Sequence, residues 1–180
     1  MAEFDIFADQ LLEEAKRFLE RASEPVDAVA EAANLHAALM LSFCALEARI
    51  NSIGEEASFR TDLSAQERGL LLERDVRLED GEFRLQNGLK IARLEDRIEF
   101  LHVKLSGRPV DKSAGWWGQL GSAVRLRNDL THAKAVPCVT QTGVRNSIGA
   151  VVATIDALCK AIYGKKLPAV DLGLQSRLRF

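Results

Sequence analysis

Cysteine, histidine and aromatic side chains are all scarce in this 180-residue chain, and each scarcity removes a class of protein. Cys44, Cys138 and Cys159 are odd in number and widely spaced, with no CxxC or Cys/His ligand pattern. Neither a disulfide framework nor a structural zinc site is expected. Three histidines (His36, His102, His132) leave few places for general acid–base chemistry. No P-loop, GxSxG or HExxH is present, nor a GxGxxG at a strand-to-helix turn. The familiar nucleotide, hydrolase, metalloprotease and dinucleotide chemistries are therefore not indicated, and no metal or cofactor is expected. Met1 leads directly into Glu3, Asp5 and Asp9, with no basic leader and no long apolar run. The expected compartment is cytoplasmic and reducing, with no membrane contact.

What is present suits a soluble globule. Hydrophobic residues make up 47% and charged residues 28%, and the length is enough for one core. The formal charge of −2 hides a gradient. Residues 1–114 carry 15 basic and 23 acidic side chains, whereas residues 115–180 carry 9 and 3. A local anionic partner is compatible with that division, although the total charge offers no such attraction.

Hydrophobic spacing predicts an all-α helical bundle of five to six helices and no parallel sheet. Helices are expected over 2–21, 27–53, 64–77, 89–105, 116–133 and 142–163. Gly54 is expected to stop the second, and Ser64 with Glu67 has capping-box spacing at the start of the third. Residues 79–88 (EDGEFRLQNG) form a turn-rich connection or short hairpin. The chain divides into an acidic N-terminal helix (1–26), a helical domain (27–163) and a basic C-terminal tail (164–180). Cys44 is expected as a small core residue. One of Trp116 and Trp117 should anchor a helix; the pair also suits base stacking.

Arg127 and His132 stand out because the residues between them are mostly polar and lie near a helix end. Arg97 and His102 have the same spacing, but Ile98, Phe100 and Leu101 between them read as an ordinary packed face. In a continuous helix, residues five apart differ by about 140°. Arg127 therefore falls on the apolar side with Leu120 and Val124, and His132 does not share that face. An inward arginine needs an acid such as Glu47, an anion or a second subunit. Glu47 is either that counter-ion or a solvated charge beside Arg49. His132 and Lys134 also suit a helix C-terminus, where cations are favoured.

The segment Arg127-Asn128-Asp129-Leu130-Thr131-His132 resembles the RxxxxH motif of HEPN domains, and the order of helices over roughly 27–163 is similar to theirs. That resemblance implies a homodimer with both motifs facing one cleft, and metal-independent cleavage of RNA. Arg127 would hold the scissile phosphate, His132 would act as acid or base, and Asn128 would orient His132. Arg125 and Lys134 would bind flanking phosphates, with Asp129, Thr131 and Glu47 in supporting positions. Proteins of this kind are commonly toxins or anti-phage defence components, so an antitoxin or regulatory protein is an expected partner. The alternative is a non-catalytic HEPN-like module that binds nucleotide or protein.

Overall fold

The computed structural model describes residues 3–180. Six α-helices and one hairpin follow in the order α1 (Glu3–Ala22), α2 (Ala28–Ser58), α3 (Ala65–Leu72), β1 (Arg74–Glu79), β2 (Glu82–Leu89), α4 (Leu94–Ser106), α5 (Gly115–Thr131) and α6 (Gln141–Tyr163). The fold is all-α, with a two-stranded antiparallel sheet as its only β structure among the described residues.

The long α2 is the axis of the core. Asp27 caps it by accepting the Ala30 amide at 2.7 Å. Its predicted stripe, Leu35, Leu39, Phe43, Leu46, Ile50 and Ile53, is buried throughout. From α6, Val144, Ile148, Val151, Ile155 and Leu158 meet that stripe, while α1 adds Leu11, Leu12, Ala15 and Leu19. By length and mean hydropathy (1.5), α2 is also the one described helix apolar enough to cross a membrane, a property the sequence reading did not register.

Gly54 does not end α2. The helix runs four residues further, and Gly54 sits where an added Cβ would lie 3.0 Å from the Leu71 carbonyl oxygen. It is a point of close helix approach rather than a stop.

The third helix is also shorter than expected. Ser64 and Glu67 do form the capping box, but Glu73 adopts φ 51° and turns the chain out of the helix. The segment assigned to the end of that helix becomes β1. Alternation explains this: Val76 and Leu78 share one face with Phe83 and Leu85 of β2. Asp80 and Gly81, both at positive φ, make a two-residue turn between the strands. β2 consumes residues 82–89, so α4 begins at Leu94 rather than Leu89. The hairpin lies directly on α3, where a Cβ on Gly69 would be 2.6 Å from Val76 Cγ2.

The basic tail is not a solvated extension. A short 3-10 helix (Pro168–Leu172) turns it back across α1. The Ser176 amide donates to Glu20 Oε1 at 2.8 Å and the Arg177 amide to Glu13 Oε2 at 2.6 Å. Arg17 Nε donates to the Phe180 carbonyl at 2.8 Å, and the Phe18 and Phe180 rings meet edge to face. Lys16, fully buried, pairs with Glu13 at 3.0 Å. Arg49 of α2 reaches Asp5 at 2.7 Å and Asp9 at 2.6 Å. Much of the acidic N-terminus and part of the basic C-terminus therefore neutralise charges inside one fold.

Candidate functional site

The motif helix α5 starts with Trp116 and Trp117, which pack on the core and meet each other edge to face at 5.4 Å. Lys112 lies 5.7 Å from the Trp117 ring centre. Both indoles are partly buried, which fits anchoring of α5 better than an open stacking platform. Leu120, Ala123 and Val124 bury the inner face of α5 and bring Arg127 over α2.

Arg127 is half-buried. Its guanidinium carbon stands 5.1 Å from the Phe43 ring centre, in cation–π range. Its Nη2 lies 3.9 Å from Glu47 Oε1, an ion pair too long to be a hydrogen bond. Its Nε is buried without a hydrogen-bond partner. The counter-ion role for Glu47 thus describes the geometry better than a charge beside Arg49, which is engaged by Asp5 and Asp9. Cys44 is exposed rather than a core residue. Partial desolvation and then Glu47 push its thiol up, with Arg127 pulling the other way.

His132 caps α5. Its amide donates to the Asn128 carbonyl at 2.8 Å, and its φ of −122° and ψ of 39° take the chain out of the helix. The imidazole is exposed, on a different side of the helix from Arg127. Asn128 meets His132 through the backbone; no side-chain hydrogen bond joins them among the described residues. Thr131 turns its hydroxyl back onto the Arg127 carbonyl at 3.0 Å, so it serves the helix end. Asp129 and Lys134 are exposed. Arg125 donates to Ser122 at 2.9 Å and points outward. One chain therefore gathers Arg127, Glu47 and Cys44, and leaves His132, Asn128, Asp129 and Lys134 at the exposed end of α5.

The second arginine–histidine pair is built differently. Arg97 is 2% exposed. Its Nη2 donates to Asn51 Oδ1 at 2.7 Å and to the Leu71 carbonyl at 2.9 Å, and its Nη1 meets Glu73 at 3.1 Å. Burial lowers its pKa from the ordinary value, against the pull of Glu73 and Glu47. Its Nε also lacks a partner, so the two arginines differ at their terminal nitrogens. Ile98 and Leu101 are fully buried between Arg97 and His102. His102 Nδ1 lies 3.1 Å from the Arg108 carbonyl oxygen.

Comparison with family models, curated proteins and solved structures finds no match for this chain. Its own geometry carries the argument.

Between α5 and α6, on another side of the motif helix, runs an open groove of about 850 Å³. Gly118, Ser122, Leu126, Gly143, Arg145 and Asn146 are among its walls. The sequence reading missed it, because small residues on two separate helices signal nothing until the helices are adjacent. No cluster of three or more metal-ligating side chains occurs among the described residues.

Proposed function

We propose that this chain is a metal-independent endoribonuclease of the HEPN type, acting as a homodimer in the cytoplasm. The observation that carries the reading is the state of Arg127. Phe43 holds its guanidinium in place, yet among the described residues none of its terminal nitrogens is hydrogen-bonded. A fixed cation with open donors suits a phosphodiester, which accepts a bidentate contact from arginine.

Arg127 and His132 diverge around α5, so a single chain does not offer both to one phosphate. A cleft between two copies supplies what one lacks: Arg127 from one and His132 from the other. His132 takes the proton of the ribose 2′-OH, the resulting oxygen attacks phosphorus to close a 2′,3′-cyclic phosphate, and the 5′-oxygen leaves as a hydroxyl with a proton drawn from water. Arg127 neutralises charge that builds on the phosphoryl oxygens. Arg125 and Lys134, both exposed, bind flanking phosphates. Such an activity harms its host unless restrained, which fits a toxin or anti-phage role with an antitoxin or regulatory partner.

The test is incubation of total RNA with the full chain in EDTA, beside Arg127→Ala and His132→Ala. Cleavage that persists under chelation and disappears in both variants is the expected result. Cleavage indifferent to His132, or none at any protein concentration, overturns the reading. The groove between α5 and α6 favours the second reading, a non-catalytic nucleotide- or protein-binding module. Under that reading, binding survives His132→Ala and is lost on Arg145→Glu, with no RNA cut by either protein.

A further inference from the structure

The tip of the hairpin carries an unusual arrangement of side chains. Leu78 and Phe83 face each other across the strands and are 63% and 56% exposed, well beyond the part that α3 covers. Flanking that apolar rung are two rungs of like charge: Arg77 opposite Arg84, and Glu79 opposite Glu82. Like charges directly opposite each other weaken an isolated hairpin. Arg77 finds Asp75 at 3.1 Å and Arg84 finds Glu82 at 3.6 Å along their own strands, and Gln86 donates to Glu79 at 3.0 Å, but none of the four charges has an opposite charge directly across the hairpin.

The order Arg77-Leu78-Glu79 is complementary to itself when reversed. Two antiparallel copies of β1, related by a two-fold axis at Leu78, place Arg77 of each opposite Glu79 of the other, and the two Leu78 side chains together. The rows across four strands then read Phe83, Leu78, Leu78, Phe83 in the middle, with Arg84, Arg77, Glu79, Glu82 on either side. Every like-charge rung gains an opposite-charge neighbour. Backbone geometry agrees. The two-residue turn makes Glu79 and Glu82 the closing pair, so the N–H and C=O of Leu78 point away from β2. β1 is the better edge because the register shift places extra residues in β2, between the partners of Arg74 and Val76. That bulge bends β2 and blunts its outer edge.

We infer that the hairpin tip is a self-association surface whose partner is a second copy of this chain, joined β1 to β1 in antiparallel register through Leu78. The inference is independent of the ribonuclease reading. It uses a different patch from the α5 end, so with a motif-facing dimer it would link dimers into larger assemblies. A contact of this size is expected to be weak, with Kd of roughly 10–100 µM.

Sedimentation velocity and oxidative cross-linking of the full chain test it. In a background of Cys44→Ser and Cys138→Ser, Leu78→Cys is expected to give a covalent dimer, since paired strand positions lie within disulfide reach. Phe83→Cys should not, being three strand spacings (about 14 Å) from its copy. Arg77→Glu should weaken association at least about tenfold, and Arg77→Glu with Glu79→Arg should restore it. That restoration separates a lost contact from a lost fold. Cross-linking through Phe83→Cys as readily as through Leu78→Cys overturns the register. A Leu78→Cys cross-link yield unaffected by Arg77→Glu, or no such cross-link at about 500 µM, overturns the surface itself. Adding Arg127→Ala to Leu78→Cys should leave the cross-link intact while abolishing RNA cleavage, so the two proposals fail separately.

Discussion

Arg97 enters the core from α4 and finds three partners for its terminal nitrogens; Arg127, from α5, finds an aromatic ring and one distant carboxylate. Both stand five residues before a histidine. A desolvated guanidinium is tolerated when its donors are satisfied, and Arg97 ties α4 to α2, α3 and the start of the hairpin in doing so. Arg127 is held by packing while most of its hydrogen-bonding capacity stays unused. The difference teaches that motif spacing says little, whereas the number of engaged donors separates a structural arginine from one able to receive a ligand.

The sharpest way to break this comparison is to remove each arginine and measure stability by urea unfolding. Arg97→Ala leaves the buried Leu71 carbonyl without its donor, deprives half-buried Glu73 and exposed Asn51 of their partner, and should cost about 3 kcal/mol. If Arg127→Ala costs more than Arg97→Ala, the distinction drawn here is wrong.

Glu13 extends the comparison to a buried acid. Burial alone would raise its carboxyl, but the Arg177 amide, Lys16 and the Arg177 charge together hold it below the ordinary value of 4.5. Because the folded state lowers this pKa, the stabilisation is present above about pH 4.5 and is lost as pH falls through the folded value. Glu13→Gln leaves Lys16 buried without its counter-charge. It should cost about 2–3 kcal/mol at neutral pH and flatten the acid limb of an unfolding-against-pH profile.

Gly54→Val drives a side chain against the Leu71 carbonyl that receives Arg97. A loss of about 2 kcal/mol is expected, read as a shift in the thermal midpoint. Arg127→Ala should cost only about 1 kcal/mol, the worth of its ring contact and long ion pair. Smallest of all, His132→Ala should change stability by less than about 0.5 kcal/mol while removing RNA cleavage. A large stability loss there would reassign His132 to the fold.

The number of helices and their inner faces were legible in the residues. Leu35 to Ile53 on α2 and Val144 to Leu158 on α6 repeat with helical period, and periodicity survives whatever the partner helix is. Gly54 misled because glycine serves equally as a terminator and as a contact point, and only the approach of α3 decides between them. The end of α3 misled because Glu73 takes a left-handed conformation that nothing in its neighbours announces. Within the candidate site, the polarity around Arg127 and the apolar face beside Arg97 were readable. Phe43 as the support for Arg127 was not, since the two are 84 positions apart and meet only when α5 packs on α2.

Local order by itself determined the helical class, the Ser64–Glu67 capping box and the burial of the main apolar stripes, because these depend on residues within one or two turns. It also placed opposite charge at the two ends of the chain. Only the tertiary structure decided how that charge is used. It folded the tail onto α1, where Arg177 meets Glu13, closed three acceptors around Arg97, and left Arg127 with donors in reserve. Long-range packing sets which polar groups are desolvated and which partners reach them, and no spacing along the chain encodes that distance.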